Sequence, residues 1–437
     1  MKKIFTSVML LLAIAAGTTL VSCNKKNAEK KYTAEEQANK LDATGEAFIA
    51  ELDLEKWQAT ADLVIPGIIF IENADMRDAE APDIEAKEDK VDVANLKWTR
   101  NYTIDMANVK GHYTINAEGK GAKVKGDFAD FQITFAAEGH DYVADIAFTD
   151  SDKTVVISYD EYDADYYYDA EDNYVSCPGM VRYSTVNLVV PSKLTIDFTV
   201  DGKKQVTAEG NLKFSGLDDY REIDVKGISV DVDLALNAGD YAINLSRLSL
   251  KNGTFDEALT LKHNKKQLLG LISKATGLNY IEKVGVKSGE EEENDFPYAC
   301  DNASIALDVM GQVQAKGNLK FNDFYNTYIG MIDAEPKNVE EANALLKKLE
   351  PYYNINVYYD KGSTVQAYVR VKALEEENDR MTIAPIIFFQ DGTSQAVTEF
   401  FNPDNFGKTI AAVEGLVSKV QAYFESFNTV ADSELHE

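Results

Sequence analysis

The sequence predicts a mainly β protein with flanking helices, an α+β fold of curved antiparallel sheet. Three observations carry that expectation. Apolar and polar residues alternate with a period of two from about residue 94 onward. One β segment occurs twice. Apolar stripes of helical period stand at the two ends of the body and at one internal site.

The alternation is clearest in four places. Tyr102, Ile104 and Met106 alternate with Thr103 and Asp105, and Phe131, Ile133 and Phe135 with Gln132 and Thr134. Leu194, Ile196, Phe198 and Val200 form a third series, and Ile228, Val230, Val232, Leu234 and Leu236 a fourth. Such strands have one buried and one wet face, as antiparallel sheets do. Asp201-Gly202, Asn252-Gly253 and Asp391-Gly392 supply hairpin turn signals. Few helical crossovers separate the strands, which argues against a parallel sheet.

The repeat joins IDFTVDGKKQVTAEGNLKF (Ile196 to Phe214) to IALDVMGQVQAKGNLKF (Ile305 to Phe321), with Lys203-Lys204 as an insertion. Each copy follows an acidic, aromatic stretch that ends in cysteine, at Cys177 and at Cys300. This is the signature of a duplicated β unit. In the shared GNLKF, glycine is expected to make a bend while Leu and Phe fill the core.

The helices follow from their caps. Thr33-Ala34-Glu35-Glu36 reads as a capping box, and Leu41, Gly45, Phe48 and Leu52 line one face of the helix after it. Residues 72 to 92 are acidic and read as a solvated loop or linker. Val339, Ala342, Leu346 and Leu349 mark an internal helix. Asn402-Pro403 opens a terminal one. Its stripe is Phe406, Ile410, Val413, Val417, Val420, Phe424 and Phe427, and the expected role is to pack on the open face or end of the sheet.

The first residues carry a targeting pattern. Lys2 and Lys3 precede an apolar stretch, Val8 to Gly17, and then Leu20-Val21-Ser22-Cys23. That order is the order of a secretory signal, and the apolar run is too short for a membrane span of about 20 residues. Leu20 to Cys23 resembles the bacterial lipobox. The resemblance implies cleavage before Cys23 and a diacylglyceryl group on its thiol, so that the chain meets the membrane through its N-terminal lipid. The signal and the acidic, Tyr-rich body are similar to those of exported lipoproteins of Bacteroidota. The implied location is the cell envelope, at the outer rather than the inner membrane. Five divisions follow: 1–22 as signal, 23–32 as lipidated tether, 33–175 as helix, acidic linker and β meander, 176–296 as first repeat unit, and 297–437 as second repeat unit with the terminal helix.

Composition narrows the partners. There are 44 Lys and Arg against 73 Asp and Glu, a net charge of −29. Such a chain does not neutralise phosphates, so nucleic acid is not an expected partner. It is not drawn to anionic lipid heads either. After lipidation two cysteines remain, Cys177 and Cys300, and they form a disulfide or stay as free thiols.

Motifs for chemistry are few. His112, His140, His263 and His436 have no zinc-ligand spacing, and no nucleophile elbow or phosphate loop occurs. The unusual stretch is Tyr159 to Tyr174 (YDEYDADYYYDAEDNY). Its Asp163, Asp165, Asp169 and Asp172, with Tyr167, could supply oxygens to Ca²⁺ or contact a glycan, or could sit on a solvated hairpin tip. The expectation is therefore a non-enzymatic binding or structural module whose ligand is protein, glycan or lipid. One alternative is a lipid or lipoprotein carrier with an apolar groove, by analogy with the plan of the periplasmic lipoprotein-carrier family, none of whose motifs is present. A second is a glycan-acting enzyme using a carboxylate pair.

Overall fold

In the computed structural model the described residues are 31–79, 85–105, 108, 110–149, 153–217, 223–279, 281–282, 300–332, 334, 336–376 and 380–434. Helix α1 (Ala34–Glu51) starts as expected, with the Thr33 side chain accepting from the Glu36 N–H and Glu36 reaching back to the Thr33 N–H. Helix α2 (Leu54–Glu72) follows after a turn capped by Asp53. It was not legible, because its second half, residues 63–71, is apolar on every side and Pro66 lies inside it.

The early strands are β1 (Glu85–Asp92), β2 (Lys97–Asp105), β3 (Gly111–Ile115), β4 (Gly121–Lys123), β5 (Phe131–Ala137), β6 (His140–Thr149), β7 (Thr154–Asp163), β8 (Tyr166–Tyr168), β9 (Tyr174–Ser176) and β10 (Val181–Val189). Then come β11 (Lys193–Val200), β12 (Lys203–Ser215), β13 (Ile223–Asp224), β14 (Ser229–Ala238), β15 (Tyr241–Lys251), β16 (Thr254–His263), β17 (Lys266–Thr276), β18 (Ile281–Glu282), β19 (Asn302–Val309) and β20 (Val313–Lys320). The chain closes with α3 (Phe321–Ile332), α4 (Val339–Leu346), β21 (Tyr353–Tyr359), β22 (Ala367–Glu376), β23 (Arg380–Phe389), β24 (Ser394–Ala396), α5 (Val397–Phe400) and α6 (Pro403–Glu434).

Sixteen strands form one sheet, in the order β24-β23-β22-β21-β20-β19-β17-β16-β15-β14-β12-β11-β6-β5-β3-β4. A second sheet has the order β1-β2-β10-β7, and β8-β9 and β13-β18 are separate pairs. Pairing is antiparallel except for β3 with β5 and β2 with β10. The mainly β fold with a helix at each end is as expected. One correction concerns residues 72 to 92: Glu85–Asp92 is an edge strand. Its charged, exposed side chains suit an edge, where bare backbone groups would otherwise invite another chain.

The repeat resolves into two hairpins of the same sheet, β11-β12 and β19-β20. Both turns use left-handed residues, Asp201-Gly202 and Met310-Gly311. Lys203 and Lys204 lengthen the first hairpin, so Ile196 faces Ala208 whereas its counterpart Ile305 faces Gly317. The slip is two residues, which leaves every side chain on its original face. The glycines of GNLKF, Gly210 and Gly317, sit inside strands and make no bend; Phe214 ends in β12, while Phe321 begins α3. Since β17 pairs with β19, the sheet runs unbroken from the first repeat unit into the second.

Helices α1 and α2 cross the sheet strand by strand. Gln37 accepts from the Tyr359 hydroxyl and donates to the Gln366 carbonyl. Lys40 pairs with Asp360, and the Thr44 hydroxyl donates to Gln312. Glu51 receives His263 and Lys266, each at 2.8 Å, and the Tyr241 hydroxyl donates to its carbonyl. Further along, Gly67 rests on the rings of Tyr142 and Phe198, where an added Cβ would stand 2.6 Å and 2.9 Å from ring carbons. Only a glycine lets the helix come so close.

The apolar face of α1, with Leu41 and Phe48, is half-buried, whereas Gln37, Ala38, Asp42 and Thr44 are buried in these polar seats. Asp42 holds α6, accepting from the Thr409 N–H at 2.8 Å and from its hydroxyl at 2.9 Å. Glu51 also binds Lys56, and these donors hold its carboxyl down at about 2. A depressed carboxyl contributes stability that is complete above its ordinary value near 4.5 and is lost as pH falls toward 2. Glu51→Gln is expected to cost about 1 kcal/mol at pH 7, a modest figure because the lysine partners are solvated. In urea titrations the gap between wild type and variant should shrink as pH drops from 4.5 to 2.

Candidate functional site

The helix-bearing face of the large sheet is a continuous apolar ladder. From Phe198 the register passes through Val206, Ala238 and Tyr241 near the hairpin ends. One row deeper it passes through Ile196, Ala208, Leu236, Ile243, Leu261, Leu269 and Val309. The next row holds Leu194, Gly210, Leu234, Leu245, Leu259, Leu271 and Leu307. Two packed clusters bound it. At one flank Val64 of α2 meets Ile133, Phe135, Tyr142, Phe198 and Val200. At the other, Ala38 of α1 and Phe406 of α6 meet Val369, Ile387, Phe389 and Phe400.

Between the clusters the face is not filled. Within β14 to β17 the one buried residue is Leu268, the unpaired residue of a bulge. Leu234 and Ile243 are 39% and 40% exposed, and Leu236, Leu245, Leu259, Leu261, Leu269 and Leu271 are half-buried. Helix α6 does not close the gap. Its Phe406 joins a cluster and its Tyr423 packs on Trp57 and donates to Asp62 at 2.7 Å, but Val417 and Phe424 of the expected stripe stay exposed. Alternation placed Leu194, Ile196, Leu234 and Leu236 on one face; it could not show that the terminal helix would be tied to Asp42, Asp53 and Asp62 of the two N-terminal helices.

The other sequence-expected residues do not come together. Cys23 lies outside the described residues. Cys177 and Cys300 are free thiols, not a disulfide: Cys177 packs beside Trp98 and Met180 under the small sheet, while Cys300 precedes β19 in the large one. Burial pushes the Cys300 thiol up.

The acids of the Tyr159 to Tyr174 stretch are held apart. The Asp165 carboxylate accepts from the Gly179 N–H at 2.6 Å, and Asp169 accepts from the N–H groups of Glu171 and Asn173. Those bonds hold the Asp169 carboxyl below its ordinary range. Asp163 is exposed at the end of β7, and Asp172 occupies a left-handed turn position. Among the described residues no three His, Cys, Asp or Glu gather as metal ligands. Tyr167 is half-buried and packs against the cluster of Trp98, Ala164 and Met180. The three described histidines each meet one acid, in separate places: His112 with Asp130, His140 with Asp201 and His263 with Glu51.

Among the described residues no helix is long and apolar enough to cross a membrane. No protein family, curated protein or solved structure matches the chain.

Proposed function

We propose that the chain is an envelope lipoprotein, anchored through Cys23, whose large sheet binds an acyl chain as a non-enzymatic carrier or receptor. The observation that supports this is the half-exposed leucine face of β14 to β17, bounded by two packed clusters. Full burial of a large apolar side chain is worth about 1.5–3 kcal/mol, and an acyl chain laid along these half-buried rows would recover the part they forgo. The opposite face of these strands is mainly polar, with Asp231, Asp233, Asn244, Asp256 and Lys274, and Ile272 as its exposed apolar exception.

A fluorescent fatty acid titrated into the mature protein tests the reading. Saturable binding is expected. Leu234→Glu and Ile243→Glu should each weaken it about tenfold, roughly 1.4 kcal/mol. Because both side chains already meet solvent, the urea midpoint should move little. Absent binding, or binding indifferent to both substitutions, would overturn it. The anchor has its own test: metabolic acyl labelling should mark the wild type and vanish in Cys23→Ser.

A further inference from the structure

The small sheet carries a second, chemically different feature. On one face of β1-β2-β10-β7 the register aligns Val91, Trp98, Arg182 and Tyr162 in one row, and Asp89, Arg100, Ser184 and Asp160 in the next. Trp98 is 0% exposed. The Arg100 guanidinium lies 4.6 Å from its ring centre and makes two bonds to Asp89, at 2.7 Å and 2.8 Å. Arg182 lies 5.2 Å from Trp98 and 3.9 Å from Tyr162. Unlike Arg100, it has no acid within ion-pair distance among the described residues. Its Nε is sealed from solvent without a hydrogen-bond partner, as is the Ser184 hydroxyl beneath it. Asp160, opposite Ser184, attracts it without pairing.

A guanidinium held between two rings gains about 0.5–2 kcal/mol from their faces, which does not replace the hydrogen bonds it gave up. Desolvation and the neighbouring Arg100 both oppose its charge. An oxyanion at the terminal amino groups of half-buried Arg182 would offset both, accepting from the guanidinium's outer edge and lowering the repulsion between the two arginines. Beside this pair, Tyr168 and Tyr174 form an aromatic rim. Trp98 and Tyr168 are 5.9 Å apart, and the Tyr174 ring, 62% exposed, stacks on Tyr166.

We infer that Arg182, seated between Trp98 and Tyr162 beside Arg100, is a binding site for the carboxylate or phosphate of a small anionic ligand. This site is independent of the acyl-binding reading, since it stands on a different sheet. Calorimetry on the mature chain with sodium glucuronate, inorganic phosphate and neutral glucose tests it. At least one of the two anions should bind and glucose should not; which anion binds tells a carboxylate source from a phosphate source. Arg182→Gln should weaken binding at least about tenfold, and Arg182→Lys should keep part of it. Binding of neither anion, equal binding of glucose, or full binding by Arg182→Gln would overturn the site. Should that variant fail to fold, the unaltered chain decides through its two indole N–H resonances. The ligand must shift that of Trp98 and spare that of Trp57; the reverse pattern, or no shift, overturns the site.

Discussion

Phe400→Ala is expected to destabilise the fold by about 3–5 kcal/mol, the range for removing a fully buried aromatic ring. Phe400 is 1% exposed and stands at the centre of the cluster that seats the last helix. Its ring lies 5.2 Å from Phe389, 5.1 Å from Phe401 and 5.7 Å from Phe406. These rings cannot collapse into the void together, because Phe389 belongs to a strand and Phe406 to the start of α6. A lowered urea midpoint with unchanged slope would report the loss; a shift under 1 kcal/mol would mean the cluster is not packed as described.

Gly67→Leu should act at the opposite flank, by overfilling. The new side chain would meet the rings of Tyr142 and Phe198 at distances no packed structure tolerates. Neither ring can step aside: Tyr142 is 1% exposed and stacks on Phe135 at 4.8 Å, and Phe135 stacks on Phe70 of α2. Relief requires α2 to lift from the sheet, and a cost of about 3 kcal/mol is expected, at the upper end for an overpacked core. Thermal unfolding read by near-ultraviolet circular dichroism checks it, since the aromatic stack should lose order first. A variant as stable as wild type would show that the helix does not rest on those rings.

The sequence disclosed periodic features and concealed cooperative ones. Strand alternation at 194–200 and 228–236 was readable because period two needs no tertiary information. The Thr33 and Asn402 caps were readable because their bonds are local. Helix α2 was hidden by Pro66 and by the lack of polar residues between Leu63 and Ile71. Phe321, alike in sequence to Phe214, gave no sign that one would open a helix and the other stay in a strand. Among the site residues, the acidic cluster of 163–172 drew attention by composition yet spends Asp165 and Asp169 on its own backbone. Arg182 was silent, because its meaning depends on Trp98, 84 positions earlier, and on a parallel pairing that alternation does not announce. Of the leucine rows, Leu194, Ile196, Leu234 and Leu236 were readable as one face, while the leucines of β15 to β17 were not singled out. Their exposure depends on where α6 is tethered, which no local pattern encodes.

The path of α1 and α2 across the hairpin ends sets a timetable for folding. The first helix is made early in synthesis, but its seats on Gln366, Asp360 and Gln312 lie 329, 320 and 268 residues downstream. Contacts this distant close large loops before they return any energy, so acquisition of the native state should be slow. Until β22 exists, α1 lacks its seats on Asp360 and Gln366, and its apolar side stays open to any other greasy surface. The nascent chain is thus most vulnerable to self-association just before its last quarter emerges, and a holding chaperone at that stage would raise the yield of folded protein.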